Sequence, residues 1–469
     1  MPAPDGVALN TTRGVRVIRA ELGQLLRLAM PIVLTQLSQM GMGVADTIMA
    51  GRYGAVDLAG VALGGNVFWP TIMLLGGVIM ALVPAVSQLN GAGRPAESGE
   101  VVRQAGWIAL VGGAVLIAAY RNAEGFFVAL GIDPTAVPVA TAYLDALSWG
   151  TLPLLGYFGL RYLCEGMSWT LPAMLVAFLG LLLKIPLNYA FIYGAGPIPA
   201  LGGAGCGWAS VVVLWVEFAV LLAVVARSRI RRTGVFARIS RPDVRQIWRL
   251  VKLGGPIGLT IFLEFSMFSM VTLLIGRLGV DAVAAHQIAT NVGGLAFMIP
   301  MALGMAVAIR VGYNTGAGDL TAARRSGWVA IGVGLAFAVV AGAALLALRA
   351  PIAGLYSNDA AVIRVAAELM VFVAVYQLVD DTQVTAIGAL RGFKDTRMPM
   401  VIALLAYWAV GLPVGLVLGF GWLEVPGMTG VRGFWVGLSA GLSVAAVVLI
   451  CRFAWLSRRE DRVLALAGR

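Results

Sequence analysis

Histidine is almost missing from this chain: His286 stands alone among 469 residues. That argues against the multi-histidine ligand sets of catalytic zinc and against triad chemistry. Cysteine is nearly as scarce. Cys164, Cys206 and Cys451 sit in or beside apolar stretches without CxxC spacing, which fits thiols packed among helices and not a disulfide framework or a metal site. No HExxH or Walker loop occurs, so a zinc hydrolase of that type and an ATP-driven machine both lack their signatures. The N-terminus, MPAPDGVALNTTRGVRVIRA, lacks the short apolar core and small-residue site of a cleaved signal peptide.

Charge is the most telling shortage. Only 12% of residues are charged, about half the ~25% of soluble domains, while 60% are hydrophobic and the mean hydropathy is +0.89. Water cannot be the main solvent of such a chain. Apolar runs at 105–120, 204–226 and 326–348 approach or exceed the ~20 residues that cross a hydrocarbon core. The net charge of +11 is confined to clusters. Eight arginines between Arg227 and Arg249 face one acid, Asp243, and others lie at Arg13, Arg16, Arg19, Arg458 and Arg459. No aromatic-basic platform accompanies them, so nucleic acid is not the partner. Such clusters mark the cytoplasmic side of a membrane protein.

Apolar runs between polar breaks predict an all-α membrane protein with twelve spans, near 25–49, 56–83, 105–120, 136–160, 171–194, 204–226, 251–275, 281–308, 326–348, 361–389, 398–420 and 431–453. The even loops collect Arg324, Arg325, Arg391, Lys394, Arg397 and the central basic run, while 195–203 carries no charge. Both termini are therefore expected in the cytoplasm.

The chain also repeats itself. At a shift of 225, Pro31 falls on Pro256, Gly51-Arg52 on Gly276-Arg277, Asn66 on Asn291 and Gly91-Ala92-Gly93 on Gly316-Ala317-Gly318; at 227, Pro172 meets Pro399 and Pro186 meets Pro413. Two six-helix lobes follow, 1–240 with the basic linker and 241–469. An even number of spans gives both the same orientation, so a pseudo-twofold axis along the membrane normal is expected, as in transporters built from parallel repeats. Duplication could equally build a receptor or scaffold; the intramembrane charges favour transport.

An ionised side chain at helix centre costs about 2.5–3.5 kcal/mol on insertion scales and normally faces a cavity or partner. Glu264 lies mid-span, and Asp380 and Asp381 follow Tyr376 inside the tenth. Asp46 lies in the first, Lys184 deep in the fifth, with Asn188 one turn on, while Asp145 and Glu217 face either headgroups or neighbouring helices. Glu264 and Asp380 could lock helices together, or bind a coupling ion: a desolvated carboxyl takes up a proton, and two carboxyls with Tyr376 could supply hard oxygens to Na⁺. Lys184 either pairs with Asp46 or titrates. His286, in AVAAHQIATN with Gln287 and Asn291, reads as an interhelical hydrogen-bonder. Met40, Met42, Met267, Met270, Met298, Met301 and Met305 with Phe265, Phe268 and Phe297 suit either a promiscuous cleft or lipid-facing filler.

The strings GMGVADTIMAG (41–51), MALVPAVSQLNGAGR (80–94), KIPLNYAFIYG (184–194), AAHQIATN (284–291), YQLVDDTQV (376–384) and LRGFKD (390–395) resemble the multidrug and toxic compound extrusion (MATE) family, in its NorM-like branch, from about residue 22 to 455. The resemblance implies a twelve-helix, two-lobe antiporter of the bacterial inner membrane. It would export cationic, often aromatic compounds against H⁺ or Na⁺, as a monomer among lipids and without a cofactor. The family's C-lobe acidic pair then falls on Glu264 and Asp380 with Tyr376, its first-helix aspartate on Asp46, and its fifth-helix polar pair on Lys184 and Asn188. Gln287, Asn291 and Asp381 complete the expected cavity. Lys184 departs from the asparagine usual there, and an ammonium beside Asp46 would occupy the place of an N-lobe Na⁺. A flippase for lipid-linked precursors or a metabolite exporter is the alternative, but the former needs a cationic cavity and the mid-span charges here are mostly acidic.

Overall fold

The computed structural model describes residues 5–129, 131–197, 199–356, 359–423 and 425–468, with side chains of the first helix described from Arg16 onward, so Arg13 lies outside them. The first half runs α1 (Asp5–Tyr53), α2 (Ala55–Ile79), α3 (Leu82–Gly91), α4 (Ser98–Arg121), α5 (Glu124–Ala129), α6 (Val137–Ser148), α7 (Thr151–Gly166), α8 (Leu171–Tyr193) and α9 (Gly203–Arg227). The second runs α10 (Val244–Ile275), α11 (Val280–Gly316), α12 (Leu320–Tyr356), α13 (Ala360–Gly392), α14 (Arg397–Leu404), α15 (Leu412–Gly419), α16 (Val431–Leu456) and α17 (Glu460–Ala467). Ten helices among the described residues are long and apolar enough to cross a membrane. Helices dominate because every backbone N–H and C=O in hydrocarbon must be satisfied within its own segment.

The first and fourth expected spans fall outside those ten. The first lies within α1, whose 49 residues reach roughly 70 Å at 1.5 Å per residue. The fourth is divided at Trp149–Gly150 into α6 and α7, yet both residues keep right-handed dihedrals, so the break is a kink. Proline explains it. Lacking an N–H, a proline leaves the carbonyl four residues earlier unpaired and crowds it with its ring. Pro153 does this to Trp149, and Pro84 does it to Met80 between α2 and α3, where the Val83 N–H takes the Met80 carbonyl instead, at 3.0 Å. Pro413 acts likewise after the wide π turn Leu405–Gly411 that joins α14 to α15.

The chain divides into two compact units, Pro31–Phe262 and Met1–Met30 with Leu263–Arg469, so the division runs through α1 and α10. Glu21 shows why the start of α1 groups with distant sequence. Its carboxylate receives two hydrogen bonds from Arg310 of α11, at 3.0 and 2.8 Å, and one from Ser326 of α12 at 2.6 Å. In the other unit the arginine-rich linker folds back on α4. Ser240 donates to Glu100 at 2.7 Å, Arg103 donates to Ser240 at 2.8 Å, and Gln104 accepts from the Asp243 N–H at 2.9 Å.

Close packing rests on glycine, because apolar lipid supplies no hydrophobic drive between helices and contact must come from backbone approach. In the C-terminal unit α13 packs against α11, α12 and α16. A methyl added at Gly388 of α13 would lie 2.1 Å from the Gly304 carbonyl oxygen of α11. Gly411, Gly415 and Gly419 meet Gly433, Gly437 and Gly441 on α16 in the same way; a methyl at Gly437 would stand 2.4 Å from the Gly415 backbone. Replacing Gly388 with valine should therefore destabilise the protein by at least the ~1–3 kcal/mol of an overpacked core, seen as a lowered melting temperature in detergent. Gly294→Ala, at a position with nothing within 4 Å, should melt near wild type.

Candidate cation and substrate sites

In the N-terminal unit, Lys184 sits one helical turn before Asn188 on α8, so both side chains share a face. The ammonium is 1% exposed and lies 2.9 Å from Asp46 Oδ1. It also donates to the Cys206 carbonyl at 3.2 Å and to the Ser210 hydroxyl. An ammonium has three protons to give, and these three acceptors take them all. Asn188 Nδ2 donates to the same Asp46 oxygen at 2.8 Å. The aspartate side chain keeps 13% of its surface exposed, so it is the partner that another cation can reach.

The C-terminal unit is built differently. Tyr376 and Asp380 stand four residues apart on α13, and the tyrosine hydroxyl faces the aspartate; Glu264 and Asp381 lie within charge-charge reach of Asp380. Asp380 and Asp381 are 2% and 0% exposed, whereas Glu264 is half-buried. Asp380 Oδ1, both Asp381 carboxyl oxygens and the side-chain amide of Gln377 have no hydrogen-bond partner. Aromatic rings wall the cluster. Tyr376 meets Phe268 edge-on at 6.0 Å and Trp435 at 5.9 Å, and His286 meets Trp435 at 5.7 Å. The Thr272 hydroxyl donates to the Phe268 carbonyl at 2.9 Å, so toward His286 Nε2, also at 2.9 Å, it accepts. The other ring nitrogen of His286, Nδ1, is left unpaired.

Other expected residues stand apart. Gln287 and Asn291 are exposed on one face of α11, a turn from each other. Asp145 is exposed and lies 3.6 Å from Arg121. Met267 is buried, while Phe265 and Met270 are exposed. Reading the sequence missed the buried pair Arg161–Glu165 on α7, 2.7 Å apart, although its i, i+4 spacing in RYLCE was a usable signal. It also missed Gln383, which donates to Tyr407, and it left Glu217 unplaced; that carboxylate is 2% exposed.

The sequence profile of the family MatE matches residues 31–190 and again 256–417. The two matches start 225 residues apart and end 227 apart, the two shifts of the internal repeat. The chain belongs to the MatE family. It is 44% identical over 461 residues to the multidrug resistance protein PmpM of Pseudomonas aeruginosa, covering 97% of this chain and 95% of that one. It is 42% identical over 456 residues to the multidrug resistance protein MdtK of Edwardsiella ictaluri, covering 96% and 99%. Its fold is similar to that of the eukaryotic MATE transporter AtDTX14, with a TM-score of 0.86 at 22% identity over 96% of this chain and 99% of the other. This MatE chain is therefore a multi-pass membrane transporter and not an enzyme.

Removing one partner of a buried ion pair strands the other charge and costs about 3–5 kcal/mol. Asp46→Asn should lower the melting temperature, because it removes the carboxylate in direct contact with the Lys184 ammonium at 2.9 Å. The double variant Asp46→Asn with Lys184→Met should recover most of the loss, and a double-mutant cycle measured by thermal unfolding checks both.

Proposed function

We propose that this MatE transporter is a secondary active exporter of cationic, often aromatic compounds, working by alternating access in exchange for H⁺ or Na⁺. In this reading twelve spans form two six-helix halves in a bacterial inner membrane, with both termini in the cytoplasm, and the chain acts as a monomer. One observation carries it. Asp380 and Asp381 bury three carboxyl oxygens that no group among the described residues satisfies. A buried carboxylate without a partner is strongly unfavourable, so the cluster calls for a mobile cation: a proton, a sodium ion or the charged centre of a substrate. The edges and faces of Tyr376, Phe268 and Trp435 supply the aromatic surface on which an organic cation gains cation–π stabilisation.

Because substrate and coupling ion seek the same carboxyls, occupancy by one displaces the other, which is the basis of exchange. The two units differ in what they accept. Lys184 fills the place beside Asp46 with a fixed positive charge, so a Na⁺ there would meet an ammonium sharing its ligand. Protons are the coupling ion favoured by this arrangement, with the Glu264, Tyr376 and Asp380 oxygens left as the set able to hold Na⁺. The relatives' names as multidrug resistance proteins support the substrate class. The near absence of unpaired buried cations in these sites speaks against the anionic headgroup that a lipid-precursor flippase would carry.

Asp380→Asn should abolish efflux of a fluorescent organic cation from cells while surface expression is unchanged; full retained resistance would remove that residue from the site. In proteoliposomes, an imposed pH gradient in sodium-free buffer should drive uptake of the same dye. Strict dependence on sodium, lost on Asp46→Asn, would reverse the assignment of the ion. Each net charge moved is worth about 2.3 kcal/mol per 100 mV, so repeating the assay against membrane potential gives the stoichiometry.

A further inference from the structure

The interior of the N-terminal unit contains a fifth ionisable group that the two buried ion pairs there do not use. Asp46 pairs with Lys184 at 2.9 Å and Arg161 with Glu165 at 2.7 Å, and Arg161 also reaches Gln36 at 3.1 Å. Glu217 lies two turns beyond Ser210 on α9, and Ser210 is one of the acceptors of the Lys184 ammonium. Its side chain is 2% exposed and its Oε1 has no hydrogen-bond partner.

The helices around it make room for a carboxyl group. Gly180, one turn before Lys184 on α8, faces it, and a methyl there would come within 2.2 Å of Oε1. From α7, the Tyr157 hydroxyl is fully buried and also unpartnered, and it feels the charges of Arg161, Glu165 and Glu217 together. Arg161 and Lys184 both act on Glu217 electrostatically. Tyr162 and Cys164 of α7 lie by Arg161 and Glu165. Tyr193 of α8 donates to the Met49 carbonyl at 2.9 Å, and Tyr189 is exposed. The other titratable groups on elements packed against α9 are also engaged elsewhere. Tyr143 of α6 faces Asp46 and Cys206, Asp145 lies by Arg121, and Asp57 of α2 accepts from the Gly203 N–H at 2.6 Å. Arg229, Arg231 and Arg232 stand exposed beyond the far end of the helix.

Charge balance then assigns a state to Glu217. Buried charge is tolerated only when it is compensated. Two complete pairs sum to zero, so an ionised Glu217 leaves one negative charge over, and a protonated Glu217 leaves none. The balance inverts when Asp46 is neutralised by a proton or a cationic substrate, because Lys184 then needs another counter-charge. We propose that Glu217 is a second proton-carrying group of this transporter. It is protonated while Asp46 holds Lys184, and it gives up its proton when Asp46 is neutralised. One proton bonds to an Asp46 oxygen, one O–H bond of Glu217 breaks, and the released proton passes to solvent. The buried charge of the unit is the same before and after. This inference rests on the reading of the chain as a cation-coupled exporter.

Infrared difference spectroscopy on the purified full-length protein in lipid nanodiscs at neutral pH tests it. Wild type minus Glu217→Gln should show the C=O stretch of one protonated carboxylic acid, and Glu217→Gln should melt within a degree or two of wild type, since one neutral group replaces another. On an Asp46→Asn background the same subtraction should show carboxylate bands instead. A structural ion pair between Glu217 and Arg161 would give carboxylate bands already in wild type and a clear drop in melting temperature for Glu217→Gln; either overturns the proposal. A protonated band that persists on the Asp46→Asn background refutes the exchange. The spectra need no transported substrate, so a protein that moves no cation in proteoliposomes refutes the exporter reading separately from this one.

Discussion

Three acceptors close around the buried amine of Lys184, and much else in the N-terminal unit follows from that arrangement. Asp46 must lie on the facing helix to supply the counter-charge. Ser210 and the Cys206 carbonyl must be presented by α9, and Asn188 must steady the shared oxygen from one turn along. The demand arises from the medium. In hydrocarbon a charge without a partner is worth several kcal/mol of instability, so each ionisable group is either paired or available to something mobile.

The two units answer that demand in opposite ways. The N-terminal unit pairs its charges internally, Lys184 with Asp46 and Arg161 with Glu165. The C-terminal unit gathers Glu264, Tyr376 and Asp381 around Asp380 and leaves buried carboxyl oxygens unsatisfied. The sequence repeat carries the frame of prolines and glycines across both halves, but the charges do not repeat: at the shift of 225, Asp46 corresponds to Val271 and Glu264 to Gln39. A duplicated scaffold thus holds two unlike clusters of charge. Glycine contacts such as Gly388 with Gly304 bring α13, the helix that carries Asp380, into backbone contact with α11.

Much of this was legible in one dimension. Hydropathy depends on runs of about twenty residues, so ten of the twelve expected spans appear as single long apolar helices or helix pairs. The fourth was obscured because Pro153 kinks it into two shorter helices. The repeat was visible because proline and glycine act on the backbone locally and do so equally in both copies. Asp380 and Tyr376 stood out together because four residues make one helical turn.

The sequence by itself determined the solvent, the helical class, the duplication and the positions where charge is out of place, since each rests on local composition or on spacing along one helix. Tertiary structure alone decided which charges meet. Glu21 and Arg310 pair across 289 positions, Lys184 draws partners from α1 and α9, and Glu217 ends against Gly180 with no proton donor of its own. No periodicity encodes such meetings, because they arise from the packing of helices whose facing surfaces are set by glycine and proline far from the charges themselves.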